Sequence, residues 1–215
     1  MPEPAGDVAP ATLHAAVATG IADCAQRLGA ASTSFALPAW AKWARLMTDS
    51  RNAKGWPKVF ADGRGLVGAL ASIWEGASPA GMEGGHLRDL TAAFLDEAGP
   101  VLGADTGPAA AAWREAAAAW HGLAELALPV DVPEFARLRE LTAAVQESVV
   151  GEGDAGRADA AEASAALWAL RAELDAVPPL AGPERADLFA AIGAQVAAVH
   201  RAEVAAVREL AALTA

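Results

Sequence analysis

Apolar residues recur at steps of three and four along most of the chain, and this spacing constrains the fold more than any other feature. The first such stripe consists of Leu13, Val17, Ile21, Cys24 and Leu28. Side chains at this spacing share one face of an α-helix. No segment shows the alternation with a period of two, rich in β-branched residues, that is typical of a β-strand. We therefore expect an all-α fold.

Helix-breaking residues divide the chain into about seven or eight predicted helices. Residues 1–10 contain three of the thirteen prolines, and we expect them to form a flexible N-terminal tail. No fixed repeat or long linker divides residues 11–215, which are predicted to fold as one helical bundle. The segment 55–60 is predicted to be irregular, because Pro57 disfavours helix at its own position and at the preceding residue.

Local signals also predict individual helix ends and buried faces. Helices are expected over about residues 11–28 and 62–75. Another is expected to falter near Gly99 and Pro100 and to stop by Gly103, and Asp131 is a plausible N-cap. The side chains predicted to face inward on the later helices include Leu87, Leu90, Phe94, Leu95, Trp113, Trp120, Phe135, Leu138, Val145, Val149, Leu167, Leu174, Ile192, Val196, Val199, Val207 and Leu210. These stripes favour packing of the helices in bundle fashion.

Charge and cysteine content narrow the classes of function. The net charge is −11, and this balance does not favour a nucleic-acid partner. The single cysteine, Cys24, cannot form an internal disulfide, and the N-terminus lacks a basic flank followed by an apolar run. We expect a cytoplasmic protein with no membrane span. Cys24 lies on an apolar helical face, where an inert thiol is more typical than a nucleophile.

A glycine-rich segment before one predicted helix is the first candidate site. Gly84 and Gly85 lead into a helix N-terminus, where free N–H groups favour an anion, and His86 and Arg88 are placed to assist. An ordinary turn is the alternative. His86 with Asp89 or Glu83 is a candidate for acid-base catalysis. The Glu-x-x-His spacing of Glu83 and His86 lacks the second copy typical of di-iron sites, so we expect no metal and no cofactor.

A second candidate site combines cations with aromatic residues. Trp43, Arg51, Trp56 and Lys58 lie close together in sequence within an otherwise acidic chain, which suits an anionic ligand. The alternative is that Trp43 belongs to the core and that Trp56 only covers a loop. A further pair, His121 and Glu125, is one helical turn apart and is predicted to be solvated.

Several short blocks together resemble a known family. They are residues 34–44 (SFALPAWAKWA), 55–60 (GWPKVF), 84–88 (GGHLR), 94–98 (FLDEA) and 120–124 (WHGLA). In order and spacing these blocks are similar to the helical C-terminal domain of the butirosin-biosynthesis BtrH family, over roughly residue 11 to the end. The N-terminal cysteine-protease-like domain of that family has no counterpart in this sequence.

The resemblance implies a role in acyl transfer during natural-product assembly. In that family an acyl group passes from a carrier protein to an amine, and Cys24 does not match the position of the nucleophile. We therefore expect a protein that binds an acyl, aminoacyl or carrier-linked intermediate and assists its transfer or rearrangement. The alternative is a non-catalytic scaffold or accessory subunit that docks on a separate acyltransferase or forms a homodimer. A third option is an acid-base enzyme.

Overall fold

The regular structure is α-helical wherever the chain is described. The computed structural model describes residues 8–78 and 87–214. Its helices are α1 (Pro10–Leu28), α2 (Leu37–Leu46), α3 (Trp56–Val59), α4 (Leu66–Ala77), α5 (Arg88–Leu102), α6 (Gly107–Ala127), α7 (Pro133–Val150), α8 (Arg157–Ala176) and α9 (Gly182–Ala212). No strand occurs within these ranges. The prediction of an all-α helical bundle is therefore confirmed.

Helices α6 and α9 form the centre of the bundle because each contributes to two hydrophobic clusters. The first cluster joins α4, α7 and α8 to the second half of α6 and the first half of α9. The second joins α1 and α5 to the opposite halves of the same two helices. Helices α6 and α9 therefore run antiparallel. On α9 the boundary between the clusters falls between Val199 and Ala206.

The predicted stripes on α6, α8 and α9 are confirmed. The buried residues on these helices include Trp113, Ala116, Trp120, Leu123, Ala127, Leu167, Leu174, Ile192, Val196, Val199, Val207 and Leu210. On α7, Phe135 and Leu138 are buried as predicted, whereas Val145 is only half-buried and Val149 is exposed. The inward face of α7 continues through Leu141 instead.

The segment around Pro57 was predicted to be irregular, and this prediction is wrong. Residues Trp56–Val59 form the short helix α3, with Pro57 in its first turn. Proline is tolerated there because the N–H that it lacks would have no partner within the helix. This short helix raises the number found in the described ranges to nine, against the predicted seven or eight.

Two predicted helix starts, those of α4 and α7, are wrong, whereas the predicted range of α1 and the predicted end of α5 agree with the structure. Helix α4 starts at Leu66 because Gly63 and Gly65 have φ values of 81° and 75°, outside the helical range. Helix α7 begins after Val132, and no side chain caps it, so Asp131 is not its N-cap. Helix α5 does not falter at Pro100, which is exposed and lies in its last turn, and it ends at Leu102, in agreement with the predicted stop by Gly103. Helix α1 runs from Pro10 to Leu28, close to the predicted range, and residues 1–7 of the predicted tail lie outside the described ranges.

Helix α5 turns a different face inward from the one predicted. Leu87, Leu90 and Phe94 are 49%, 63% and 42% exposed, respectively, whereas Leu95 is buried as expected. The face toward the core carries Arg88 at its start and small residues such as Ala92 after it. The prediction failed because it assigned the larger apolar side chains to the core, although small side chains allow α5 to lie close to α6.

Candidate functional site

A buried ion pair lies at the boundary between the two hydrophobic clusters. The Nε of Arg88, on α5, donates to Oε1 of Glu203, on α9, at 2.6 Å. The Glu203 side chain is fully buried. Trp120 Nε1 donates to the same oxygen at 2.7 Å. Glu203 Oε2 is also buried and has no hydrogen-bond partner among the described residues.

Tryptophan rings surround the cation of this pair. The Arg88 guanidinium lies 5.1 Å from the centroid of the Trp113 ring and 5.7 Å from that of Trp40. Trp40 in turn contacts Trp120 edge-on, with 5.7 Å between the ring centroids. Such contacts stabilise a desolvated cation. We call Arg88, Glu203, Trp40, Trp113 and Trp120 the buried polar cluster; its members come from α2, α5, α6 and α9.

The helix that carries Arg88 begins in an unusual backbone conformation. Leu87, immediately before α5, has a φ of 61°, which is uncommon for any residue other than glycine. The surrounding structure must supply the energy that holds such a conformation, and these positions cluster at functional sites. Leu87 directly follows the predicted glycine-rich site. The predicted residues Glu83, Gly84, Gly85 and His86 lie outside the described residues.

Asp89 lies beside a histidine that was not predicted as its partner. Oδ2 of Asp89 is 3.2 Å from Nε2 of His121, on α6, although the two atoms are not aligned for a hydrogen bond. The two groups form an ion pair when the imidazole is protonated. Glu125, which was paired with His121 from the sequence, instead accepts two hydrogen bonds from Arg139, at 2.8 and 3.0 Å.

Cys24 is half-buried on α1, close to the buried polar cluster. Burial raises the pKa of its thiol, the positive charge of Arg88 partly offsets this effect, and the negative charge of Glu203 adds to it. A raised pKa leaves little thiolate at neutral pH, and the thiolate is the reactive form. The environment of Cys24 is therefore that of an unreactive thiol.

We expect alkylation of Cys24 by iodoacetamide to reach half its maximal rate at a higher pH in the folded protein than in urea. The reason is the raised pKa of the buried thiol. Because the chain has one cysteine, the urea-unfolded protein serves as its own control. Equal midpoints, or a lower midpoint in the folded protein, would contradict this prediction and point to an activated nucleophile.

The second predicted site divides into separate parts. Trp56 packs edge-on against Phe60 and Phe189, with centroid distances of 4.9 and 5.5 Å, and so belongs to the margin of the core. Arg51 and Lys58 are exposed, and Lys58 Nζ donates to the Arg51 carbonyl oxygen at 3.2 Å. Trp43, which also contacts the core, lines an open cleft.

That cleft has a volume of about 440 Å³ and lies between α2 and the loop before it. We call it the aromatic cleft; its walls include Phe35, Trp40, Lys42, Trp43 and Leu46. Phe35 is 84% exposed, which is unusual for so large an apolar side chain. Trp40 both lines the cleft and lies over Arg88. One tryptophan therefore connects the cleft to the buried polar cluster.

The cleft belongs to the most basic part of the chain. Residues 27–64 contain seven of the sixteen Lys and Arg residues, including all three lysines, against two acidic residues. None of the seven forms an ion pair with another described residue. The acidic surplus of the chain therefore lies elsewhere in the sequence, and these cations remain available to an anionic ligand or partner.

Comparison with known proteins adds no relative. No protein-family model, curated protein or solved structure matches the chain.

Within the described ranges, no group of three or more His, Cys, Asp or Glu side chains is placed to hold a metal ion. None of the helices described above has the length and apolar character needed to cross a membrane.

Proposed function

We propose that this protein acts in natural-product biosynthesis in the cytoplasm, where it binds an acyl, aminoacyl or carrier-linked intermediate and assists its transfer or rearrangement. The observation that carries the proposal is the aromatic cleft within the basic segment. The resemblance of the sequence to the helical domain of the BtrH family supports the same class of ligand. The acyl group would come from a carrier protein or a small-molecule thioester.

The chemistry of the cleft matches the two parts of such a ligand. The rings of Phe35, Trp40 and Trp43 provide apolar surface against which an acyl chain can be buried. Lys42 supplies an ammonium group at the same wall, and its Nζ contacts the Thr33 carbonyl oxygen only at 3.5 Å. This cation suits a carboxylate or the phosphate of a carrier-linked arm. The cations of residues 27–64, none of which forms an ion pair with another described residue, would also attract an acidic carrier protein.

The proposed role is binding and positioning of the intermediate, without Cys24 as the acyl-transferring nucleophile. Cys24 is a poor nucleophile because burial raises the pKa of its thiol. The His121 and Asp89 pair lies on the neighbouring helices α5 and α6, and it offers a proton acceptor if the chain also assists a rearrangement.

Octanoyl-4′-phosphopantetheine tests the proposal, since it carries both an acyl chain and a phosphate. We expect Phe35→Ala to weaken its binding by roughly three- to tenfold, because the exposed ring contributes apolar contact without supporting the core. Lys42→Ala should weaken binding severalfold and reduce its dependence on salt. Titration followed by tryptophan fluorescence measures both effects.

Lys54→Ala is the matched control, because Lys54 belongs to the basic segment but does not line the cleft. It should retain the affinity of the unchanged protein. If Phe35→Ala and Lys42→Ala bind the thioester as tightly as the control does, the proposal is wrong.

A second function, that of a non-catalytic scaffold or accessory subunit of a separate acyltransferase, is favoured by a different observation. Leu90 and Phe94 form an exposed apolar stripe on α5, and Leu87, immediately before this helix, is also exposed. Exposed apolar surface of this kind marks interaction sites, including those of homodimers. A stable complex with the acyltransferase in native mass spectrometry, without any binding of the thioester, would favour this function over the first.

A further inference from the structure

A second pocket lies where the end of α2, helix α3 and the start of α9 meet. Its volume is about 330 Å³, and its apolar walls include Met47, Pro57, Phe60 and Phe189. This volume is at the lower end of the range typical of small-molecule sites. The pocket shares no lining residue with the aromatic cleft. We call it the Arg185 pocket, after the cation that lines it.

Arg185 is held in place by two main-chain oxygens. Its Nη1 donates to the Leu180 carbonyl oxygen at 3.1 Å, and its Nη2 donates to the Ala61 carbonyl oxygen at 2.9 Å. Two of the five N–H donors of the guanidinium are thereby used. Among the described residues, no carboxylate lies within ion-pair distance of Arg185. As far as the structure describes the chain, the pocket therefore has a positioned cation with unused donors and without a neutralising charge.

The apolar wall is also held before any ligand binds. Phe60 and Phe189 both pack against Trp56, and their own ring centroids lie 6.4 Å apart. Phe189 is 3% exposed and anchors this group in the larger hydrophobic cluster. A ligand that enters the pocket would not have to order these rings, which lowers the entropic cost of binding.

We propose that the Arg185 pocket binds a small carboxylate with an apolar body. The carboxylate would accept hydrogen bonds from the guanidinium of Arg185, and the apolar body would lie against Pro57 and Phe60, which are only partly buried. Guanidinium and carboxylate groups match in geometry and form charge-assisted hydrogen bonds. A neutral apolar ligand would leave the cation unneutralised, and a bare inorganic anion would leave the aromatic wall uncovered. This site is independent of the acyl intermediate proposed for the aromatic cleft.

The test compares two probes of the same shape by isothermal titration calorimetry: 3-phenylpropionate and its neutral analogue 3-phenylpropanamide. We expect the carboxylate to bind more tightly than the amide to the unchanged protein. Arg185→Gln should weaken binding of the carboxylate by about tenfold or more and change binding of the amide little. Arg201→Gln, at an exposed position on the same helix, is the control and should bind both probes normally.

A second variant tests the pocket without changing Arg185, in case Arg185→Gln does not fold. Ala186 is exposed and lines the pocket, so Ala186→Phe fills the pocket without changing Arg185 or the core. It should abolish binding of both probes. The proposal is overturned if the unchanged protein does not bind the carboxylate, if it binds the carboxylate and the amide equally, or if binding survives Ala186→Phe.

Discussion

Arg88→Ala is expected to lower the free energy of unfolding by about 3–5 kcal/mol, because it leaves the fully buried carboxylate of Glu203 without its cation. The rings of Trp40 and Trp113 would also lose the guanidinium that lies over them. The free energy of unfolding of a typical domain is only about 5–15 kcal/mol, so this one substitution removes a large part of it. Urea unfolding followed by circular dichroism measures the loss.

Two variants show whether the burial of the charge is responsible. Arg114→Ala breaks an ion pair with Asp96 that also joins α5 to α6 but is about half exposed, and it should cost less than about 1 kcal/mol. The double variant Arg88→Met/Glu203→Leu removes both charges and should recover most of the stability that Arg88→Ala loses. A loss below about 1 kcal/mol for Arg88→Ala, equal to that of Arg114→Ala, would show that the pair is not buried as described.

Trp113→Ala, made alone, is expected to lower the free energy of unfolding by about 3–5 kcal/mol, because it opens a cavity in the second hydrophobic cluster. The Trp113 side chain is 1% exposed and is one of the largest fully buried side chains in the described ranges. Its removal also takes away one of the two rings over Arg88. The midpoint of urea unfolding, at an unchanged slope, reports this loss.

The same substitution at Trp168 provides the control. Trp168 is 65% exposed on α8, and Trp168→Ala should change stability by less than about 0.5 kcal/mol. Trp113→Phe should cost less than Trp113→Ala, since it retains a ring and removes an indole N–H that is buried without a hydrogen-bond partner among the described residues. Similar losses at positions 113 and 168 would contradict the described packing.

These variants also bear on the functional experiments. Arg88 was predicted to bind a ligand, but in the structure its side chain forms an ion pair with Glu203 and contacts the rings of two tryptophans. A loss of ligand binding in Arg88→Ala would therefore mix a structural effect with a functional one. The double variant Arg88→Met/Glu203→Leu separates them, because it lacks the guanidinium but is expected to recover most of the stability. The role of Arg88 in binding remains a prediction.

The sequence predicted the helices well and the orientation of α5 poorly. The α6 stripe from Trp113 to Ala127 was assigned correctly because large apolar residues and core positions coincide there. On α5 they do not coincide, since Leu90 and Phe94 point outward while Ala92 is buried. Side-chain size alone did not show which face would meet α6.

The buried polar cluster was missed although a signal for it exists. The stripe on α9 runs through Val196 and Val199 and resumes at Val207, and the same spacing passes through Glu203. A charged residue at a core position needs a partner, because its burial alone is costly. That argument identifies Glu203 as unusual but cannot identify Arg88 as its partner.

The amino-acid sequence by itself determined most of the helical segments, all but the short α3, since their periodicity depends on contacts within one or two helical turns. Only the tertiary structure decided which charges are buried and which aromatic residues line a cleft. Arg88 and Glu203 are 115 residues apart, and they meet because α5 and α9 both pack into one hydrophobic cluster. Trp43 and Trp56 both pack against the first hydrophobic cluster, but Trp43 also lines the aromatic cleft, whereas Trp56 packs against Phe60 and Phe189. Such contacts depend on the packing of whole helices, which local spacing does not encode.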